Sequence, residues 1–162
     1  MAIQVGDRLP AEIKLKEMRA GSPKDVTVGE LFNGRKVVLF AVPGAFTPTC
    51  SMKHLPGFVE KAKDILAKGA QEIVCLSVND AFVMGAWGDA SKATGNVRMV
   101  GDGNGEFTKA VGLSLDASGF GMGVRSQRYA MIVNDGRVEE LLVEPGPGLN
   151  VSSAESVLGK LG

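Results

Sequence analysis

The stretch KVVLFAVPGAFTPTC, residues 36–50, decides the fold of this chain. After Lys36, its first residues are apolar without alternation, which is typical of a strand covered on both faces. The loop 43–49 follows, and apolar residues spaced at three and four then predict a helix over 51–68. A buried strand, a short loop and a long helix together form the beginning of a parallel α/β unit.

Strands and helices alternate along the rest of the chain. The apolar runs predict strands at 72–78, 97–100, 129–133 and 138–143, with a hairpin turn at Asn134-Asp135-Gly136. The spacing and capping signals predict helices at 28–32, 81–93, 106–111 and 153–161, and an early hairpin from 12–18 and 24–26. Pro56 should kink the long helix or mark its first turn, and Asp116–Gly123 should be a surface loop. This order predicts an α/β, thioredoxin-like fold in which helices cover both faces of a central mixed β-sheet, with one domain over 1–162.

The charge balance excludes several classes of protein. Lys plus Arg and Asp plus Glu number 18 each, so the formal net charge is zero, and no block of like charge stands out. This argues against nucleic-acid binding through a basic face and against a polybasic membrane anchor. No apolar run approaches the roughly 20 residues that span a bilayer. Residues 1–7 have no basic or apolar leader pattern, so the cytoplasm is the expected location, although a processed mature form would look the same.

Cysteine usage points to one reactive centre. Cys50, Cys75 and the single histidine, His54, match no zinc-ligand spacing, so we expect no metal and no other cofactor. Two cysteines are also too few for a disulfide framework. Cys50 lies in or just before the first turn of the long helix, where free N–H groups and the helix dipole favour a thiolate.

Helix position alone does not make a cysteine reactive. An ordinary thiol ionises near pH 8.5, and lowering that value to about 6 takes roughly 3.4 kcal/mol. A helix terminus supplies about 0.3–1 kcal/mol. The remainder requires a cation or donated hydrogen bonds, and the candidates are Arg128, at the entry to the strand 129–133, and the hydroxyl of Thr47.

The segment Pro43–Cys50 resembles the peroxidatic-cysteine motif of peroxiredoxins, P-x-x-x-T-x-x-C. The resemblance continues through 51–58, 75–84 and 126–130, and it is greatest to the plant type II group of atypical peroxiredoxins. It implies a thiol-dependent peroxidase that reduces hydrogen peroxide and organic hydroperoxides through a cysteine sulfenic acid, in antioxidant defence and redox signalling. It also implies a non-covalent homodimer that associates through the active-site face.

The resemblance implies a role for each residue of the motif. Cys50 attacks the peroxide, and Thr47 hydrogen-bonds both the thiolate and the substrate. Arg128 stabilises the thiolate and the charge that develops on the leaving oxygen. Pro43 shields the cysteine from water, and backbone N–H groups near Gly44 and Cys50 complete the peroxide-binding site.

Cys75 lies in the middle of an apolar strand, where a free cysteine is usually a core residue. It is about 10 Å from the carboxyl end of that strand, whereas a disulfide needs Cα atoms within about 7 Å. A resolving role is the alternative and would require local unfolding. In atypical two-cysteine relatives, the resolving cysteine lies in the segment that matches 149–153, where this chain has Val151 and serines. This departure favours an external reductant, either glutaredoxin with glutathione or thioredoxin.

Other readings remain open from sequence. His54 follows Cys50 by four residues, so a Cys–His hydrolase pair is conceivable beside a packed helix histidine that tunes the site. A thiol–disulfide oxidoreductase would ordinarily carry C-x-x-C, which is absent. A non-catalytic scaffold or chaperone is the third alternative. Phe46 should be exposed in the loop, lining either the substrate site or a dimer contact.

Overall fold

The computed structural model describes residues 2–146 and 148–161. Over these residues the strands are β1 (Lys14–Arg19), β2 (Ser22–Thr27), β3 (Lys36–Val42), β4 (Glu72–Ser77), β5 (Arg98–Gly101), β6 (Ser114–Asp116), β7 (Val124–Ser126), β8 (Tyr129–Asn134) and β9 (Arg137–Val143). The α-helices are α1 (Val28–Phe32), α2 (Leu55–Glu60), α3 (Ala62–Ala67), α4 (Ala81–Ala90), α5 (Glu106–Ala110) and α6 (Ala154–Lys160). A π-helical turn spans Cys50–His54, and a short 3₁₀ turn spans Ser118–Phe120.

The main sheet is mixed and has the order β2-β1-β5-β4-β3-β8-β9. Strands β3, β4 and β5 are parallel, and the remaining neighbours are antiparallel. The carboxyl ends of β3 and β4 therefore lie at one edge, together with the beginning of β8, because Ala41 pairs with Tyr129. This edge holds the loop 43–49.

Helices cover both faces of the sheet, as predicted. Side chains alternate along β3, so Val37, Leu39 and Ala41 belong to one apolar cluster and the other apolar residues of the strand to a second. The first cluster includes α1 and α5, and the second includes α2, α3, α4 and α6. The lack of alternation in β3 thus reflects burial on both faces.

The long helix predicted over 51–68 is in fact divided into shorter segments. The π-helical turn comes first, and α2 and α3 are separated at Lys61. Pro56 lies in the first turn of α2, which is one of its two predicted places. Proline has no N–H and crowds the carbonyl four residues back, and the wider π-helical turn directly precedes it.

The glycine-rich loop predicted at Asp116–Gly123 is the connection of a second, two-stranded sheet. Strands β6 and β7 pair antiparallel on either side of it, from Ser114 opposite Ser126 to Asp116 opposite Val124. Sequence patterning missed these strands because each has only three residues and they lack strict alternation. The predicted hairpin turn is confirmed, with positive φ at Asp135 and Gly136.

Candidate active site

The loop 43–49 connects the carboxyl end of β3 to the helical segment that carries Cys50. Phe46 has φ of 64°, a left-handed conformation that residues with side chains rarely adopt. The Ser51 N–H donates to the Thr47 carbonyl at 2.9 Å. The Ser51 N–H is the first in this segment to make a helical hydrogen bond. Thr49 and Cys50 come before it in the chain, at the positions where the N–H groups of a helix have no partner within the helix. Cys50 therefore lies in the first helical turn.

Arg128 brings a positive charge to the Cys50 sulfur. Its Nη2 donates to Sγ at 3.1 Å, and both side chains are buried. Over the part of the chain that the structure describes, no ion pair includes Arg128, and its Nε has no hydrogen-bond partner. A buried cation without a carboxylate favours negative charge on the sulfur that it contacts.

His54 contacts Arg128 rather than Cys50. Arg128 Nη1 donates to His54 Nδ1 at 2.9 Å, and His54 Nε2 lies 2.9 Å from the Ser152 carbonyl. Arginine can only donate and a carbonyl can only accept, so His54 is neutral with its proton on Nε2. Both ring nitrogens are therefore occupied, which argues against the Cys–His hydrolase pair and favours a histidine that tunes the site.

The surroundings of His54 keep it neutral. The ring packs against Phe40 and Phe58, with centroid distances of 4.9 Å and 5.6 Å. Burial, and after it the charge of Arg128, lowers the pKa of His54 to about 4, against the opposing effects of the Ser152 carbonyl and Glu144. The ring can therefore accept a hydrogen bond from Arg128 across the neutral pH range.

We expect His54 to make the protein less stable as the pH falls from 6.5 to about 4. The unfolded chain binds the proton near pH 6.5, whereas the folded chain binds it only near 4, so protons favour unfolding throughout this window. The loss amounts to about 3 kcal/mol. Urea denaturation at a series of pH values should show this fall in wild type and its absence in His54→Gln. Parallel stability curves for the two proteins would contradict the assignment.

The predicted hydrogen bond from the Thr47 hydroxyl to the Cys50 sulfur is not formed. Its Oγ1 donates to the Gly44 carbonyl at 2.7 Å. A hydroxyl has one proton, so the predicted hydrogen bond to the sulfur is replaced by one within the loop. Gly44 is buried beside Thr47 and Met122, where a Cβ atom would lie 3.0 to 3.1 Å from their side chains. Pro43, half-buried, joins Gly44 to the end of β3.

Comparison with known proteins identifies the family. The family model described as Redoxin matches residues 4–158. Peroxiredoxin-2E-2, chloroplastic, of Oryza sativa subsp. japonica is 52% identical over 163 residues, which cover 98% of this chain and 72% of that protein. The chain belongs to the peroxiredoxins. Peroxiredoxin-2B of Arabidopsis thaliana is 52% identical over 135 residues, 83% of each chain.

Solved structures of peroxiredoxins share the fold. Reduced Prx3 of Vibrio vulnificus in complex with hydrogen peroxide has a TM-score of 0.94 and 50% identity, over 99% of both chains. Peroxiredoxin 5 of Alvinella pompejana has a TM-score of 0.87 and 34% identity, over 98% of this chain and 97% of that one. This peroxiredoxin is a thiol-dependent peroxidase, which reduces a peroxide and is restored by a thiol reductant.

Two contacts that sequence reasoning missed hold the active-site loop of this peroxiredoxin and the helical turn that follows it. Asn79 Oδ1 accepts from the Ala45 N–H at 3.0 Å, and Trp87 Nε1 donates to Ser51 Oγ at 2.9 Å. Asn79 follows β4 at the same sheet edge as the loop. This position after the carboxyl end of a parallel strand is the sequence feature from which its contact with the loop could have been predicted. The contact from Trp87 depends on how α4 packs, which no local pattern encodes.

Cys75 lies in β4, opposite Phe40 of β3 and Met99 of β5. It is fully buried, and both cysteines are free thiols. Burial raises the pKa of the Cys75 thiol well above its ordinary value, Cys50 adds to the rise, and Arg128 opposes it. A buried thiol that remains protonated is a poor nucleophile, which favours the core role over the resolving one.

The described residues contain neither a metal-binding cluster nor a membrane-spanning helix. Across 2–146 and 148–161, no group of three or more His, Cys, Asp or Glu side chains is arranged to hold a metal ion. In the same residues, no helix has the length and apolar character needed to cross a membrane.

Proposed function

We propose that Cys50 is the nucleophile of this peroxiredoxin and that Arg128 activates it. The contact between Arg128 Nη2 and the Cys50 sulfur, in a buried site without a carboxylate partner, carries this proposal. The thiolate attacks one peroxide oxygen, the O–O bond breaks, and Cys50 becomes a sulfenic acid. The leaving oxygen departs as hydroxide or alkoxide and takes up a proton to give water or an alcohol.

The donors around Cys50 suit a peroxide. Arg128 retains its unpartnered Nε–H group, and the N–H of Cys50 precedes the first helical bond. Such groups stabilise the charge that develops on the leaving oxygen. In this proposal the N–H of Gly44 also stabilises the charge on the leaving oxygen. Pro43 shields the Cys50 sulfur from solvent. Thr47 donates to Gly44, which leaves its oxygen lone pairs to accept the proton of the peroxide.

We propose that an external thiol, either glutaredoxin with glutathione or thioredoxin, reduces the sulfenic acid. The burial of Cys75 and the presence of Val151, Ser152 and Ser153 in the segment 149–153 support this cycle. Cys50 is itself fully buried, so a protein thiol reaches it only after the π-helical turn opens. That turn is short and directly precedes Pro56, which favours local opening.

The electron donor and the role of Cys75 can be tested together. We expect Cys75→Ser to retain most of the turnover with glutaredoxin and glutathione or with thioredoxin, because an external thiol reduces Cys50. Mass spectrometry after one equivalent of peroxide should place one oxygen on Cys50 and leave Cys75 unmodified. A Cys50–Cys75 disulfide in wild type, or complete loss of turnover in Cys75→Ser, would show that Cys75 resolves the sulfenic acid.

We also propose a non-covalent homodimer that associates through the active-site face. Large apolar side chains are exposed there, namely Phe46 in the loop, Met52 in the π-helical turn and Phe82 in α4. The ring centroid of Phe46 lies 6.4 Å from that of Trp87, also in α4, so the loop adjoins this helix. Apolar patches of this kind commonly mark protein interfaces. Analytical ultracentrifugation that finds only monomer at micromolar concentration would contradict the proposal.

A further inference from the structure

Glu144 is a buried carboxylate directly after β9 that forms no ion pair among the described residues. Its carboxylate accepts from the N–H groups of Asn150, Val151 and Ser152 at 2.8 to 3.0 Å, and from Ser152 Oγ at 2.7 Å. Burial raises the pKa of Glu144, but the hydrogen bonds from Ser152, Asn150 and Val151 outweigh it and hold the pKa below its ordinary value. The carboxylate is therefore charged and holds one turn of backbone.

The turn that Glu144 holds presents the Ser152 carbonyl to the active site. This carbonyl accepts from His54 Nε2, and the opposite ring nitrogen accepts from Arg128, whose second terminal nitrogen donates to Cys50. Each donor in this series is fixed by chemistry, because arginine only donates and a carbonyl only accepts. The contacts therefore form a continuous series from Glu144 to the sulfur, through buried groups alone.

We propose that Glu144 is a positioning residue for Cys50, acting through the Ser152 carbonyl, His54 and Arg128. Loss of the carboxylate frees the turn 150–152, and the Ser152 carbonyl then no longer fixes the His54 ring. Arg128 loses a fixed acceptor and with it part of its orientation toward the sulfur. Small displacements of groups that must be oriented for reaction cost much of the rate. This inference rests on the proposed roles of Cys50 and Arg128.

If Glu144 only stabilised the turn before α6, its substitution would leave the position and hydrogen bonds of the His54 ring unchanged. The two roles can be separated because His54 is the only histidine in the chain, so its imidazole signals in an NMR spectrum are unambiguous. In wild type we expect a slowly exchanging Nε2–H proton, since that proton is buried and bonded to Ser152. A structural role predicts that this signal survives in any folded Glu144 variant.

The test compares Glu144→Gln and Glu144→Ala with Glu140→Gln. Glu140 lies on β9, opposite Ile132, whereas Glu144 follows that strand, and both substitutions to Gln remove one negative charge. We expect Glu144→Ala to slow peroxide oxidation of Cys50 on the order of 10-fold. The same variant should lose the slowly exchanging Nε2–H signal of His54. Glu144→Gln should show a smaller decrease in rate and a smaller loss of this signal. Glu140→Gln should match wild type in rate and spectrum. If Glu144→Ala does not fold, Glu144→Gln is compared with Glu140→Gln by the same two measurements.

The inference is overturned if folded Glu144 variants retain both the wild-type rate and the Nε2–H signal, or if Glu140→Gln loses rate equally. Slower oxidation with an intact signal would also overturn it, because the effect would then bypass His54. Failure of the underlying function looks different, since wild type itself would then react with peroxide no faster than free cysteine.

Discussion

Replacing Cys50 with serine should abolish peroxide reduction while the fold remains intact. A serine hydroxyl is not ionised near neutral pH and is a far weaker nucleophile toward oxygen than a thiolate, so a loss on the order of 10⁴-fold or more is expected. The smaller hydroxyl can still accept from Arg128, which keeps that buried guanidinium partly satisfied. Stopped-flow measurement of peroxide consumption, with circular dichroism of the variant, tests this result.

Cys75→Ser is the matched control, because it makes the same chemical change at the other buried cysteine. It should react with peroxide at nearly the wild-type rate. Full activity in Cys50→Ser would favour the alternative of a scaffold or chaperone with no role for this thiol. A wild-type reaction no faster than that of free cysteine would contradict the peroxidase mechanism itself.

Replacing Arg128 should produce the second-largest loss. Removing one preorganised donor from a developing charge costs about 10² to 10³ in rate, and Arg128→Met removes both the donor and the positive charge. Arg128→Lys keeps the charge but cannot donate at once to Cys50 and His54 as the planar fork does. We expect the rate of Cys50 oxidation to follow wild type, then Arg128→Lys, then Arg128→Met.

Arg137→Met controls for the loss of an arginine. Arg137 begins β9 at the end remote from Glu144 and donates to the Gly6 carbonyl. Its substitution should leave the rate of Cys50 oxidation unchanged. Equal rates for Arg128→Met and wild type would mean that the charge on the sulfur is stabilised by other groups, and the proposed role of Arg128 would be wrong.

Local patterns were sufficient for most of the fold. The apolar run of β3 predicted a strand buried on both faces, and apolar clusters lie on both sides of it. The capping box at Thr27 and the turn at Asp135-Gly136 were also recognisable, because each depends on residues close in sequence. Burial, capping and turn geometry are local consequences of residue type, which is why they can be predicted.

The first turn after the active-site loop shows where local prediction stops. Apolar spacing predicted one long helix, but the chain forms a π-helical turn and two short helices. The spacing reports which residues are buried and does not report the path of the backbone hydrogen bonds. The π-helical turn carries both Cys50 and His54, the two residues of this segment that contact Arg128.

By itself, the sequence predicted Cys50 at a helix start, the motif around it and Arg128 at the entry to a strand, which are the residues that we propose react with the peroxide. Only the tertiary structure brought Glu144 into the site. If the pairing next to the hairpin turn continued unchanged along the two strands, Arg128 would lie opposite Val143. A bulge in β9 shifts the register by one residue. Arg128 is therefore next to Glu144, whose N–H donates to the Arg128 carbonyl at 2.9 Å. A shift of one residue moves a strand's side chains to the opposite face of the sheet. That shift depends on packing between β8 and β9, which the pattern of either strand alone does not contain.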